Sequence, residues 1–223
     1  MIFYDFEVFE KDWLAVFIDV TKKKEHVIIN SHDKLKALYE ENRKDIWVGF
    51  NNRHYDQYIM KGILLGMNPK KINDWIIVDN KEGWQYSRAF NKLPMINYDV
   101  MPSNDETMKT VGLKTMEGFL GSNIKETDVD FRIKRKLTPE EIEQTVKYCR
   151  HETIKVFLEK VSEFNAVHGI IQAFPKETSL YDIGDSEARI TAKVLGCSKT
   201  HFGDEFDFFF LPCLKLKKYK YVQ

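Results

Sequence analysis

The first nine residues, Met1-Ile2-Phe3-Tyr4-Asp5-Phe6-Glu7-Val8-Phe9, constrain the fold more than any other part of the chain. Ile2 to Val8 is rich in β-branched and aromatic residues and reads as a strand. Asp5 and Glu7 interrupt its apolar run. They stand two apart, and the period-two alternation of a strand puts both side chains on one face. The flanking apolar residues favour burial and a central place in a sheet. Two carboxylates on a buried face repel each other and are costly to bury unpaired. Divalent cations resolve the conflict, and hard cations such as magnesium take oxygen ligands of this kind. The alternative is a pair of acids facing solvent on an edge strand.

Further elements follow from local patterning. Trp13 to Val20 and His26 to Asn30 read as strands, the first joined to Ile2–Val8 by a polar hairpin turn. Ser31 is placed to cap a helix over about 33–42. Asp45 to Phe50 is a short buried strand, and helical spacing runs from Tyr55 to Gly66. The segment 68–91 is less regular. Met95 to Val100 is a further strand candidate, and 112–120 suggests a short helix. Residues 121–137 read as a basic, polar loop. Thr138-Pro139-Glu140-Glu141 places Thr at the N-cap, Pro at N1 and Glu at N3, a capping box that starts a helix expected to reach about Phe164. A loop with Gly169 and Pro175 is expected next, then a helix over about 185–195 closed by Gly196. Strands, then helix, strand, helix and a late long helix indicate an α/β domain with a mixed β-sheet flanked by helices.

Composition adds bounds. The chain has 223 residues, enough for one sizeable core or a core plus an appendage. Formal net charge is zero, so no bulk positive field points to nucleic acid, and any such contact must come from local clusters. The clusters are Lys22-Lys23-Lys24, Arg132-Ile133-Lys134-Arg135-Lys136 and the lysines from Lys215 to Lys220. Each is also compatible with an ordinary solvated face. Cys149, Cys197 and Cys213 are odd in number and widely spaced, which suggests neither a disulfide framework nor a zinc site. There is no signal-peptide pattern and no long apolar run, so the expected setting is cytoplasmic, with no membrane partner.

Two more stretches carry candidate chemistry. In Gly49-Phe50-Asn51-Asn52-Arg53-His54-Tyr55-Asp56 a buried strand ends, a polar turn follows, and Asp56 enters the first turn of a helix. An acid there is favoured by the helix dipole alone, but strand ends followed by helix starts are also where α/β domains place ligands. In Tyr148-Cys149-Arg150-His151-Glu152, Tyr148 and Glu152 stand four apart and share a helix face. An amphipathic helix with a Tyr at its rim accounts for that spacing equally.

Taken in order, Asp5-Phe6-Glu7, Asn52-Arg53-His54-Tyr55-Asp56 and Tyr148-Cys149-Arg150-His151-Glu152 resemble the proofreading exonucleases of the DEDD superfamily. The family pattern is Asp-x-Glu, then Asn-x-x-(Phe/Tyr)-Asp, then Tyr-x-x-x-Asp. The resemblance is closest to the N-terminal exonuclease region of phage-type DNA polymerases, with similar stretches at Tyr98-Asp99-Val100 and Leu113-Lys114-Thr115-Met116-Glu117-Gly118. It implies a ribonuclease H-like fold over residues 1–165. Residues 166–223 resemble the lead-in to a polymerase domain.

The resemblance further implies a 3′–5′ exonuclease that hydrolyses single-stranded DNA ends to nucleoside monophosphates with two Mg2+ or Mn2+ ions. Asp5, Glu7, Asp56 and Glu152 would be the metal ligands. Tyr148 would position the attacking water. Asn52 would contact the strand, and Phe50 or Tyr55 would stack on terminal bases, with Trp84 as a further stacking candidate. The partners implied are a DNA 3′ end and a polymerase domain or other replication protein; a phage-encoded chain would work in the host cytoplasm.

Glu152 departs from the family's Asp. At about 100° per residue, Ile142, Val146 and Cys149 form one helical stripe, and Ile154, Phe157, Leu158, Val161 and Phe164 centre roughly 80–90° away from it. Three additional residues after His151 would nearly realign the two, the pattern a short deletion leaves. The alternative function is therefore a catalytically impaired domain of the same fold that binds DNA or a replication partner. A purely structural interaction module, docking through the apolar stretch from Phe206, is a third.

Overall fold

The computed structural model describes residues 1–101, 129–149, 157–158 and 161–197. The chain divides into two compact units, residues 1–162 and 163–223. The first is α/β. Its strands are β1 (Ile2–Val8), β2 (Trp13–Asp19), β3 (Lys24–Ile29), β4 (Ile46–Gly49) and β5 (Ile96–Asp99). They form one mixed sheet in the order β3-β2-β1-β4-β5. β1, β2 and β3 are antiparallel neighbours, and β4 and β5 run parallel to β1. The strand bearing the acid pair is thus central.

Alternation along β1 assigns its two faces. Ile2, Tyr4, Phe6 and Val8 join Trp13, Ala15 and Phe17 of β2 in one apolar cluster. Helices α1 (His32–Glu41) and α2 (Asp56–Leu64) cover that face with Leu35, Leu38, Tyr39, Ile59, Met60 and Ile63. Trp47 is fully buried there and meets the rings of Tyr4 and Phe17 edge to face at 5.8 and 6.2 Å. Burial of each such side chain stabilises the fold by roughly 1.5–3 kcal/mol, and the ring geometry adds a smaller increment. On the opposite face, Leu14 and Val16 of β2 pack with Phe9, Leu137, Val146 and Cys149. Val146 and Cys149 belong to α5 (Pro139–Cys149).

The helix starts follow from their caps. The Ser31 side chain accepts from Lys34 N–H at the head of α1. At α5, Thr138 N–H donates to Glu141 Oε2 at 2.8 Å and Glu141 N–H to Thr138 Oγ1 at 3.3 Å, the reciprocal bonds of a capping box. Between α2 and β5 the chain makes short helical turns: α3 (Pro69–Asn73), a π-helical turn (Asp74–Val78), α4 (Gly83–Tyr86) and a 3-10 turn (Arg88–Lys92).

The second unit, as far as it is described, holds α6 (Val161–Ala173, which begins at the division between units), a 3-10 turn (Leu180–Gly184) and α7 (Glu187–Val194). Lys193 ties to both Asp182 and Asp185. Gly196 follows α7 at φ 66°, the left-handed conformation expected of a helix-closing glycine. Gly169 is a correction: the expected loop around it is the interior of α6. Phe164, Val167 and Ile171 are buried at helical spacing on either side of it, and that stripe outweighs one glycine's helix penalty. The expected helix at 112–120, the continuation of the Thr138 helix over 150–156 and 159–160, and the apolar stretch from Phe206 lie outside the described residues. Among the described residues no helix is long and apolar enough to cross a membrane.

Candidate metal centre

β1 and β4 pair only at Ile2–Trp47 and Phe3–Val48. Beyond Phe3 the edge of β1 facing β4 is open, and the backbone N–H of Phe6 needs an acceptor there. Asp56 supplies it, with Oδ1 at 3.1 Å. The acid is only 3% exposed. It reaches this place because β4 ends at Gly49 and the chain turns tightly into α2.

That turn is held by another acid, which is not one of the expected ligands. Asp99, at the end of β5, accepts N–H bonds from Asn51 at 2.8 Å, Arg53 at 2.9 Å and Met101 at 2.9 Å. Asn51 takes a left-handed φ of 57°, which Asn tolerates better than most residues. Asn52 is 0% exposed, and its amide donates to the Tyr98 carbonyl at 3.2 Å. That bond locks the turn to β5. Gly49 is required beneath it, since a Cβ there would meet Asn52 Cβ at 2.7 Å.

Asp5 and Glu7 project from the other face of β1, opposite Val16 and Leu14 of β2. Both are half-buried, and Cys149 of α5 closes over them. One ligand atom from each of Asp5, Glu7 and Cys149 lies within 4.8 Å of the others. Cys149 is 7% exposed. The sequence motifs did not single it out as a site residue, although its stripe with Ile142 and Val146 places it on the inward helix face. Tyr148, beside it, is half-buried.

The electrostatics follow from burial. Burial lifts the Asp5 carboxyl to about 6, opposed by hydrogen bonds from the Cys149 thiol and a backbone N–H. Burial and then the neighbouring Asp5 charge push Asp56 well above the usual carboxylate range. Burial, Asp5 and Glu7 likewise push the Cys149 thiol up, so it stays neutral and donates to Asp5. Among the described residues, no basic side chain is a main influence on Asp5 or Asp56. The described residues therefore gather acids around one stretch of β1, and burial rather than a neighbouring cation dominates the state of Asp5 and Asp56. This donor set fits hard divalent cations held through carboxylate oxygens.

The chain matches no protein-family model and no curated protein. The remaining expected site residues are placed as follows. Phe50 is half-buried at the end of β4. Tyr55 is half-buried against the α1–α2 face, with its hydroxyl donating to Asn73 Oδ1 at 2.7 Å. Trp84 is 60% exposed. Glu152 lies outside the described residues.

Proposed function

We propose that the first unit is a metal-dependent 3′–5′ exonuclease acting on single-stranded DNA ends and releasing nucleoside monophosphates. The observation that carries this reading is the association of Asp5, Glu7 and Asp56 around one stretch of β1, with no basic side chain among the described residues as a main influence on Asp5 or Asp56. The central antiparallel-parallel junction of the sheet is compatible with a ribonuclease H-like fold, and the three motifs occur in the order the exonuclease resemblance requires.

In this reading Asp5, Glu7 and Asp56 hold the ions, with Glu152 as the fourth acid implied by the resemblance. A bound pair of Mg2+ or Mn2+ supplies Lewis acidity to the attacking and leaving oxygens of the phosphodiester. The chain's own residues do the positioning. Asp99 and Asn52 fix the turn that delivers Asp56, Cys149 orients Asp5, and Tyr148 orients the attacking water by its hydroxyl. Phe50 is the stacking candidate nearest the strand end that bears the turn. Residues 166–223 are proposed as the lead-in to a polymerase partner.

The test is a nuclease assay on single-stranded DNA labelled at the end distal to the 3′ terminus, with and without magnesium, beside Asp5→Ala. Stepwise shortening that requires the metal and disappears in the variant supports the reading. Shortening that persists in excess chelator refutes it.

Cys149 favours a second reading, a domain of this fold that binds without turnover, because a neutral thiol occupies the helix face opposite the acid pair. Calorimetric titration with manganese separates the two: an active centre takes two ions, a silent one takes one or none.

A further inference from the structure

The basic loop before α5 is anchored so that its cations are displayed on the acid-bearing side of the sheet. Phe131 stacks on Phe9 with ring centroids 5.2 Å apart and 11° between planes. Ile133 packs into the cluster containing Leu14 and Val16, the cross-strand neighbours of Glu7 and Asp5. Leu137 is buried in the same cluster, and its N–H donates to Asp12 Oδ2 at 2.8 Å. A tight turn fixes the start: Arg132 N–H donates to Asp130 Oδ1 at 2.9 Å and Ile133 N–H to the Asp130 carbonyl at 3.1 Å.

With residues 131, 133 and 137 held by the core, Arg132, Lys134 and Lys136 are left exposed. Arg135 is already engaged, donating to both oxygens of Glu141 at 2.7 and 2.8 Å. Among the described residues, no acid pairs with Lys134 or Lys136. Arg132 reaches Asp130 at 3.4 Å, but both side chains are well exposed, and such a pair is weak enough to exchange for another anion. An unstructured solvated run would not need three anchor points. A row of fixed cations beside a carboxylate centre complements a polyanion whose backbone passes along the loop.

We propose that Lys134 and Lys136, with Arg132, form a phosphate rail that holds the backbone of single-stranded nucleic acid as its end approaches Asp5 and Glu7. This rests on the exonuclease reading for the direction of the strand, though the rail itself reads phosphates and not sugar or base. Phosphate contacts release counterions, so affinity falls with salt with a slope of about −0.7 per contact on single strands.

The test is fluorescence anisotropy with labelled oligothymidylate and, separately, oligouridylate, in excess chelator across a salt series. The double variant Lys134→Glu/Lys136→Glu is compared with Lys34→Glu/Lys36→Glu, a control pair on α1 at the opposite face of the sheet. The rail variant is expected to bind at least about tenfold more weakly at ~0.1 M salt, with a slope shallower by about 1.4, while the control binds as the parent. Equal loss on both oligonucleotides fits the phosphate contacts; loss on one alone overturns a backbone rail. Parent protein that does not bind, a rail variant that binds as the parent, or a control equally weakened also overturns it. Circular dichroism melts of both variants should match the parent, since the substituted lysines are exposed and none of their side chains pairs with an acid among the described residues.

A parallel manganese hydrolysis assay separates the two readings. Rail-dependent binding without hydrolysis sinks the nuclease and keeps the rail. Hydrolysis with unaltered binding and KM in the rail variant keeps the nuclease and sinks the rail.

Discussion

The backbone N–H of Phe6, between Asp5 and Glu7 in sequence, donates to Oδ1 of Asp56 at 3.1 Å. One carboxylate thus serves two ends: it caps the open edge of β1, and it adds charge beside Asp5. Substitutions separate the two. Asp56→Asn keeps an acceptor and removes the charge; Asp56→Ala removes both and leaves a buried N–H unsatisfied, at a cost of about 1–3 kcal/mol. In chelator, Asp56→Asn should melt at or above the parent and Asp56→Ala well below it. Neither should gain the thermal stabilisation by manganese expected of the parent. Thermal melts with and without manganese check this, and an Asn variant as unstable as Ala would discount the Phe6 bond.

Cys149 should behave as a support for Asp5, not as a ligand. Its thiol is held neutral by burial and the adjacent acids, and a neutral thiol is a poor donor to a hard cation. Cys149→Ala should therefore change manganese affinity by no more than about fivefold, the size of one lost hydrogen bond. Asp5→Ala should abolish measurable binding. Calorimetry distinguishes these outcomes, and loss of binding in Cys149→Ala would make the thiol a ligand.

Much of this was legible in the sequence because the signals are local. β1 reads off its composition, and the caps at Ser31 and Thr138 read off single residues at fixed offsets. The side of the sheet on which Asp5 and Glu7 fall reads off a period of two. What the sequence did not reveal depends on contacts across the fold. Asn52 looks like a polar residue on a turn, and only the approach of β5 shows that it is sealed under the Tyr98 carbonyl. Asp99 has no local mark as a turn-holder, because its three donors come from the far side of the β4–β5 pair and from its own strand end. Cys149 reads as one more apolar stripe residue until α5 is laid over β1. Gly169 misled for the opposite reason: a breaker signal was outweighed by Phe164, Val167 and Ile171.

Asp12 should matter beyond its own turn. Its Oδ1 accepts from Asn30 Nδ2 at 2.6 Å and its Oδ2 from Leu137 N–H at 2.8 Å, joining the β1–β2 turn, the end of β3 and the entry to α5. Asp12→Ala strands the buried Leu137 N–H and should destabilise the first unit by about 2–3 kcal/mol. Urea denaturation measures the loss, and faster hydrogen exchange at the Leu137 amide locates it. An unchanged amide would show that the strap does not hold α5.

Gly169 sits exposed inside α6, and a Cβ added there meets nothing within 4 Å. Gly169→Ala should stabilise the helix by about 0.5–1 kcal/mol by reducing the freedom of the unfolded chain. A higher melting transition with greater helical ellipticity is the expected result. A drop would mean that the position needs a conformation alanine resists.

Lys61 gives the pH dependence. Its ammonium is half-buried on α2, donates to Gln57 Oε1 at 3.1 Å, and is lowered by desolvation to about 8. The unfolded chain holds this proton to about pH 10.4. Between about 8 and 10.4 the unfolded state therefore binds more protons than the folded state, and stability rises with pH across that window. Below it both states are protonated and the full desolvation penalty is present; above it the penalty is gone. Lys61→Met keeps the stem and removes the charge, and Gln57 Oε1 keeps its bond from Asn97 Nδ2 at 3.1 Å. Discounted for partial exposure, the variant should be more stable by about 1–2 kcal/mol at neutral pH. The advantage should shrink towards zero near pH 10.5. Urea denaturation of both proteins at the two pH values measures the difference, and an advantage that grew with pH would reverse the assigned sign.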